Sequence, residues 1–371
     1  MAQTIFVYCT ATLIMYLFAS IASMRTNLHS EKTAPFWTGE VLLMLFTFAT
    51  IFGMRYDVGT DHLDYLYCYQ TGVGVERYEP FFQYITKGFK SAGIHYTFYF
   101  GFLAFIQLFF ILYSIRDERY LYPSLILTLF LGGFFWHWMN GIRHDIASCI
   151  YVFAVNFIVD RKPLKFLLFI LLSVCFHKTA ILLLPTYLLL SNGNDLSMNR
   201  FFQLVLLAIV SYLTITEYDV LAAIFPAIEL FIALFSYEET YDIQTMVYLG
   251  DETSFGITLY TSILLDALII LKSDKMKSFY NNRRFTVYYN LYYWGAVVLQ
   301  IFLTNNLLFA RVARPFRCFK ILIIAYFLYY LYKNLRIKSN VVFLAIAVGL
   351  LLISFVSIIV HYPFYFYFDA Q

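Results

Sequence analysis

Charge is what this chain has least of. Asp, Glu, Lys and Arg make up 13% of its 371 residues, where soluble domains carry about 25%. A water-facing exterior is thereby excluded. The common catalytic signatures are missing too: there is no DxD, no P-loop, no GxSxG and no HExxH. The usual metal carboxylate pair of sugar-nucleotide enzymes and a serine nucleophile therefore have no sequence support, and no metal or other cofactor is expected. The five cysteines (Cys9, Cys68, Cys149, Cys175, Cys318) are scattered and show no CxxC or Cys/His spacing, so they read as packing residues. The first twenty residues lack a basic leader and an A-x-A cleavage site, which predicts a first span rather than a removed signal peptide. No internal repeat, low-complexity tract or soluble domain is visible. No nucleic-acid partner is expected.

What is present is hydrocarbon: 61% of residues are hydrophobic and 21% aromatic. Apolar runs fall near 4–24, 34–53, 97–115, 121–139, 142–159, 163–176, 179–190, 200–216, 256–271, 286–304, 316–332 and 341–360. A crossing needs about 20 residues. The pattern predicts an all-α polytopic membrane protein of about 12 segments, some short or re-entrant. It forms a single transmembrane domain over 1–371, with external loops at 54–96 and 217–255. Sidedness comes from charge. Lys272, Lys275, Lys277, Arg283 and Arg284 crowd one short loop, and Lys333, Arg336 and Lys338 another; both should be cytoplasmic. The 217–255 stretch carries eight acidic residues and no Lys or Arg, so it should be external. Asp160-Arg161-Lys162 and 191–200 then both lie inside, and 163–190 must go out and return about His177-Lys178. Both termini fall outside.

This arrangement gathers the unusual charges at one external mouth. A charge at a helix centre costs roughly 2.5–3.5 kcal/mol, so charges in or beside spans face a cavity or a partner and usually mark function. Arg55-Tyr56-Asp57-Val58-Gly59-Thr60-Asp61 follows the second span. Thr60 is the expected N-cap, and Asp57, Asp61 and Asp64 could share one side of a helix. The bland alternative is a capped loop with an Arg55–Asp57 pair. Glu79-Pro80 opens an amphipathic helix with Pro80 at its first position and Glu79 at its cap. Gly141-Ile142-Arg143 joins two spans. The Arg143 guanidinium offers a planar fork matched to phosphate, unless it pairs with Asp145. His177 and Lys178 sit at the apex of the re-entrant pair, where broken spans line a cavity. Arg311, Arg314 and Arg317 enter the eleventh span from outside, against the positive-inside bias. Phosphate or pyrophosphate binding is one reason, and lipid headgroups are the other.

These stretches together resemble the EpsG family, the Wzy-like polymerases of bacterial exopolysaccharide and O-antigen synthesis. The match runs through Arg55-Tyr56-Asp57-Val58-Gly59-Thr60-Asp61 with Tyr65, Glu79-Pro80-Phe81, Gly141-Ile142-Arg143 with Ala147, and Phe176-His177-Lys178-Thr179-Ala180 with Pro185. His62 stands where the family pattern has an aromatic. The resemblance implies a GT-C-like glycosyltransferase in the bacterial cytoplasmic membrane with its site facing outward. It would transfer a growing glycan from undecaprenyl pyrophosphate onto a new lipid-linked repeat unit, without metal or nucleotide sugar. A chain-length regulator and a flippase are the implied partners, beside membrane lipid. The expected roles are Arg143, with Arg311 and Arg314, on the pyrophosphate; Asp61 or His177 as base; and Arg55, Asp57, Glu79, Lys178 and Arg317 as further substrate contacts. The rivals are a flippase, whose charges should run through the midplane, and a membrane O-acyltransferase, which the arginine-rich mouth fits less well.

Overall fold

The computed structural model describes residues 1–26, 28, 35–216, 256–302 and 311–370. The expected interfacial segment in 217–255 lies outside the described residues. The described residues are mainly helical. The first half runs α1 (Ala2–Ser23), α2 (Gly39–Gly53), α3 (His62–Thr71), α4 (Pro80–Ser91), α5 (Tyr96–Ser114), α6 (Tyr122–Leu131), α7 (Phe134–Asn140), α8 (Ile142–Val159), α9 (Pro163–Val174), α10 (Pro185–Leu190) and α11 (Arg200–Ile215). The second half runs α12 (Ile257–Tyr280), α13 (Arg283–Asn290), a π-helical stretch (Leu291–Leu299), α14 (Arg317–Lys333) and α15 (Lys338–His361). It is an all-α polytopic membrane protein. Among the described residues, four helices are long and apolar enough to cross a membrane: α1, α5, α8 and α15. The other apolar runs appear as shorter or broken pieces. The run at 121–139 is not one straight span. It breaks at Gly132-Gly133, where Gly133 takes φ 71°, a left-handed conformation that suits glycine, and α7 departs at 67° from the helix before it.

The stretch 163–190 does fold back on itself. Pro163 and Pro185 each occupy a first helical turn, where a missing N–H costs nothing. The Phe166 and Tyr187 rings, near the two ends, meet at 5.3 Å between centroids. Arg283 donates to the carbonyls of both Ile158 and Ser191, just before and just after the pair. A single guanidinium thus ties the two feet together and puts His177 at the far tip.

Contacts sort the loops into two layers. At one end the Tyr120 N–H donates to Thr26 Oγ1 at 3.1 Å, Arg119 donates to the Pro35 carbonyl at 2.6 Å, and Arg284 meets Glu118 at 3.3 Å. Lys277 meets Asp195 at 2.7 Å in the same layer. At the other end the chain termini converge. The Phe364 N–H donates to Thr4 Oγ1 at 3.0 Å. Strand β1 (Arg55–Tyr56) pairs antiparallel with β2 (Tyr365–Phe366), Arg55 opposite Phe366. This C-terminal strap over the Arg55–Asp61 loop has no sequence signal, because two-residue strands are too short to carry a periodicity.

Candidate active site

Arg143 is the centre of the second layer. It sits in the first turn of α8, after the Gly141 N-cap, and its position is fixed by three other segments. Nη1 donates to Glu79 Oε2 at 2.5 Å, and Nε donates to the Tyr65 hydroxyl at 3.3 Å. The guanidinium lies 4.7 Å from the Tyr78 ring centroid. Glu79 is the N-cap residue of α4 with Pro80 at N1, but its carboxylate does not cap that helix. It is 6% exposed, and its second oxygen accepts the Lys178 N–H at 3.2 Å. One carboxylate therefore binds the α8 arginine to the tip of the re-entrant hairpin. Local capping, the bland reading of Glu79, is not what the side chain does.

His177 lies at that tip, stacked on His144 at 4.2 Å with the rings 16° apart, and Nδ1 meets Thr179 Oγ1 at 2.8 Å. The Lys178 side chain is exposed. Across the mouth, the Asp61 N–H donates to Asn140 Oδ1 at 2.9 Å, which ties the Asp57–Asp61 loop to the end of α7. The Asp61 side chain stands exposed at the rim. Partial desolvation nonetheless raises its carboxyl above the usual carboxylate range, against the opposing pull of Arg314, Arg311 and Arg143. Asp61 is thus within the field of three arginines contributed by two distant parts of the chain. Arg314 packs against Gly141, close enough to collide with any Cβ placed there.

Other expected residues are placed differently. The α3 helix begins at His62 with Asp61, not Thr60, as N-cap, a one-residue shift of the kind helix ends commonly show. Asp64 does not join Asp57 and Asp61; it pairs with Arg77 at 2.5 Å, both half-exposed. Asp57 is exposed at φ 50°, and among the described residues it forms no ion pair with Arg55. Arg55 is 2% exposed and turns inward. It donates to the Phe52 carbonyl at 2.7 Å and the Met139 carbonyl at 3.1 Å. Those are last-turn carbonyls of α2 and α7, which lack intrahelical partners, so Arg55 closes two helix C-termini from behind the mouth. Arg317 lies one turn inward from Arg314, donating to Gln300 Oε1 at 3.1 Å and meeting His137 Nδ1 at 3.4 Å. His62 packs on Phe100 at 4.8 Å with the rings tilted by 34° and so fills the aromatic role with an imidazole.

Residues given no functional role from sequence complete the mouth: Tyr65 and Tyr78 around Arg143, Asn140 under Asp61, and His137, His144 and Asp145 behind. Tyr65 already lay in the quoted stretches, but nothing in one sequence singles out which of 33 tyrosines faces an arginine. Charge is also not confined to the mouth. Asp266 and Lys320 pair at 2.5 Å inside the bundle, with Tyr292 and Ser262 completing their hydrogen bonds. The pair is neutral overall, and Nζ and both carboxylate oxygens each have a hydrogen-bond partner.

The EpsG family model matches residues 41–368. The chain belongs to the EpsG family. That is a Wzy-like polysaccharide polymerase family, so this EpsG protein is a membrane protein of the polysaccharide polymerases that serve exopolysaccharide and O-antigen synthesis. The match extends past the stretches quoted from the first half and takes in Arg311, Arg314 and Arg317. Comparisons with curated proteins and with solved structures gave no match.

Proposed function

We propose that this EpsG protein polymerises undecaprenyl-pyrophosphate-linked repeat units at the outer face of the bacterial cytoplasmic membrane, on a GT-C-like scaffold of about 12 membrane segments. The observation that carries the reading is Arg143 held by Glu79, Tyr65 and Tyr78 at one end of an apolar bundle, with the charges of Arg311 and Arg314 acting beside it on the Asp61 carboxyl. The arginines hold the donor pyrophosphate and stabilise the charge that develops as it leaves. Asp61, accessible at the rim and raised in pKa, takes the proton of the acceptor hydroxyl. Glu79 is committed to Arg143 and the Lys178 N–H, which suits a fixed scaffold rather than a base. His177 is half-buried against His144, and it lines the mouth. The glycosyl–pyrophosphate bond supplies the driving force, so neither metal nor nucleotide sugar is required.

The test is incubation of the purified protein with native lipid-pyrophosphate repeat units, without metal or nucleotide sugar, resolved on a gel. A ladder of lengthening glycans is expected, and Arg143→Ala should abolish it. Folded wild-type protein that forms no ladder would sink the polymerase and leave the flippase, to be pursued by translocation in liposomes.

A further inference from the structure

We propose that Asp145 is a positioning residue for the arginine pair Arg314 and Arg317, a reading that rests on the pyrophosphate role of the mouth arginines. Asp145 sits in the first turn of α8 and is 3% exposed. Its Oδ2 lies 3.1 Å from the point a methyl on Gly141 would occupy, and Arg314 Nη1 crowds that same point. The cations whose charge acts on Asp145 are Arg314 and Arg317. A carboxylate buried in a membrane bundle demands counter-charge, and two arginines one turn apart repel each other. Placing Asp145 beside Arg314 and within the field of Arg317 offsets both costs.

The longer range of this arrangement matters. Asp145 Oδ2 has no hydrogen-bond donor, and among the described residues Asp145 makes no ion pair within 4.0 Å. It therefore draws Arg314 toward the N-terminal turn of α8 without consuming the guanidinium fork. Arg143 is different: one of its donors is already committed to Glu79. Arg314 lies beside the buried Asp145 at Gly141, and its charge also acts on the exposed Asp61 at the rim. The buried carboxylate fixes where the arginine stands, and the rim carboxylate reacts beside it.

The sign of the effect separates positioning from plain electrostatics. Removing a negative charge beside two arginines strengthens a phosphate's attraction if their geometry is unchanged. Loss of positioning weakens it. The experiment compares wild-type, Asp145→Asn, Asp145→Glu, Arg314→Gln and the Asp145→Asn/Arg314→Gln double variant, by melting temperature and by initial ladder-forming rate against repeat-unit concentration. Asp145→Asn is expected to raise KM about tenfold with kcat changed less. Asp145→Glu should recover most of the loss. The double variant should be no worse than Arg314→Gln alone, because the two act as a unit. Additive losses in the double variant, or an unchanged or lowered KM in folded Asp145→Asn, would overturn the proposal and leave the polymerase standing. A wild-type protein that forms no ladder would overturn both.

Discussion

Gly141→Ala perturbs the mouth without replacing a charged residue. An alanine Cβ would lie inside 3.0 Å of Arg314 Nη1, closer than real Cβ atoms approach their neighbours, whereas ordinary contact begins at 3.4 Å. The atom in the way is the far end of a flexible side chain, so the guanidinium yields and the backbone does not. Gly141 itself is at φ −87° and ψ 51°, negative-φ backbone open to alanine. Restoring ordinary contact moves the guanidinium by about 1 Å, and a misplacement of that size costs on the order of 10²-fold in rate. That corresponds to about 2.7 kcal/mol on the barrier. The assay is the initial rate of ladder formation by Gly141→Ala and Arg314→Ala beside wild type, with melting temperatures taken in parallel. Gly141→Ala should fall most of the way toward Arg314→Ala while melting close to wild type. Full polymerisation by Gly141→Ala would refute the placement of Arg314 over this turn, and a rate loss matched by unfolding would refute the claim that the guanidinium yields.

Other outcomes follow from the same geometry. Arg55→Met should lower the melting temperature and leave KM for the repeat unit near wild type, since it uncovers two buried carbonyls at roughly 1–3 kcal/mol each; a raised KM at unchanged stability would return Arg55 to the binding surface. Asp61→Asn should stop elongation in a folded protein. In the wild type, the acid limb of kcat/KM should lie above the usual carboxylate range, because the carboxyl is raised and loses its basic form as pH falls; a limb at an ordinary carboxylate value would assign the base elsewhere. Burial and the Arg55 charge push His62 down to about 3, so between its unfolded value near 6.5 and that pH the unfolded chain binds more protons and stability drops as pH falls. His62→Phe keeps the ring on Phe100 and should flatten that acid loss; an unchanged pH–stability curve would show that His62 is not its source.

Hydropathy, charge order and short motifs were enough to place most of the mouth, because each is a local property of the chain. Among the described residues the apolar runs are mainly helical, and the fold-back of 163–190 was expected from the order of basic loops. Arg143, Glu79, His177 and Asp61 stood out because polar groups beside apolar runs need a reason wherever they point. Partnership was the part that sequence could not supply. Glu79 at a helix cap gives no hint that its oxygens are spent on an arginine 64 residues on and an N–H 99 residues on. Arg55 and Arg143 are the same residue type at the same edge, yet one closes helix ends from inside and the other opens on the mouth. Asp145 read as a neighbour of Arg143, two positions away; the helix turns residues that close onto different faces, and its Oδ2 lies beside Arg314 at Gly141 instead. The sequence by itself determined that charge must lie at the ends of this bundle or be paired within it, because hydrocarbon tolerates it nowhere else unpaired. Only the tertiary structure decided which charges neutralise one another and which are left to act, because that depends on distances of a few ångströms between segments far apart in the chain.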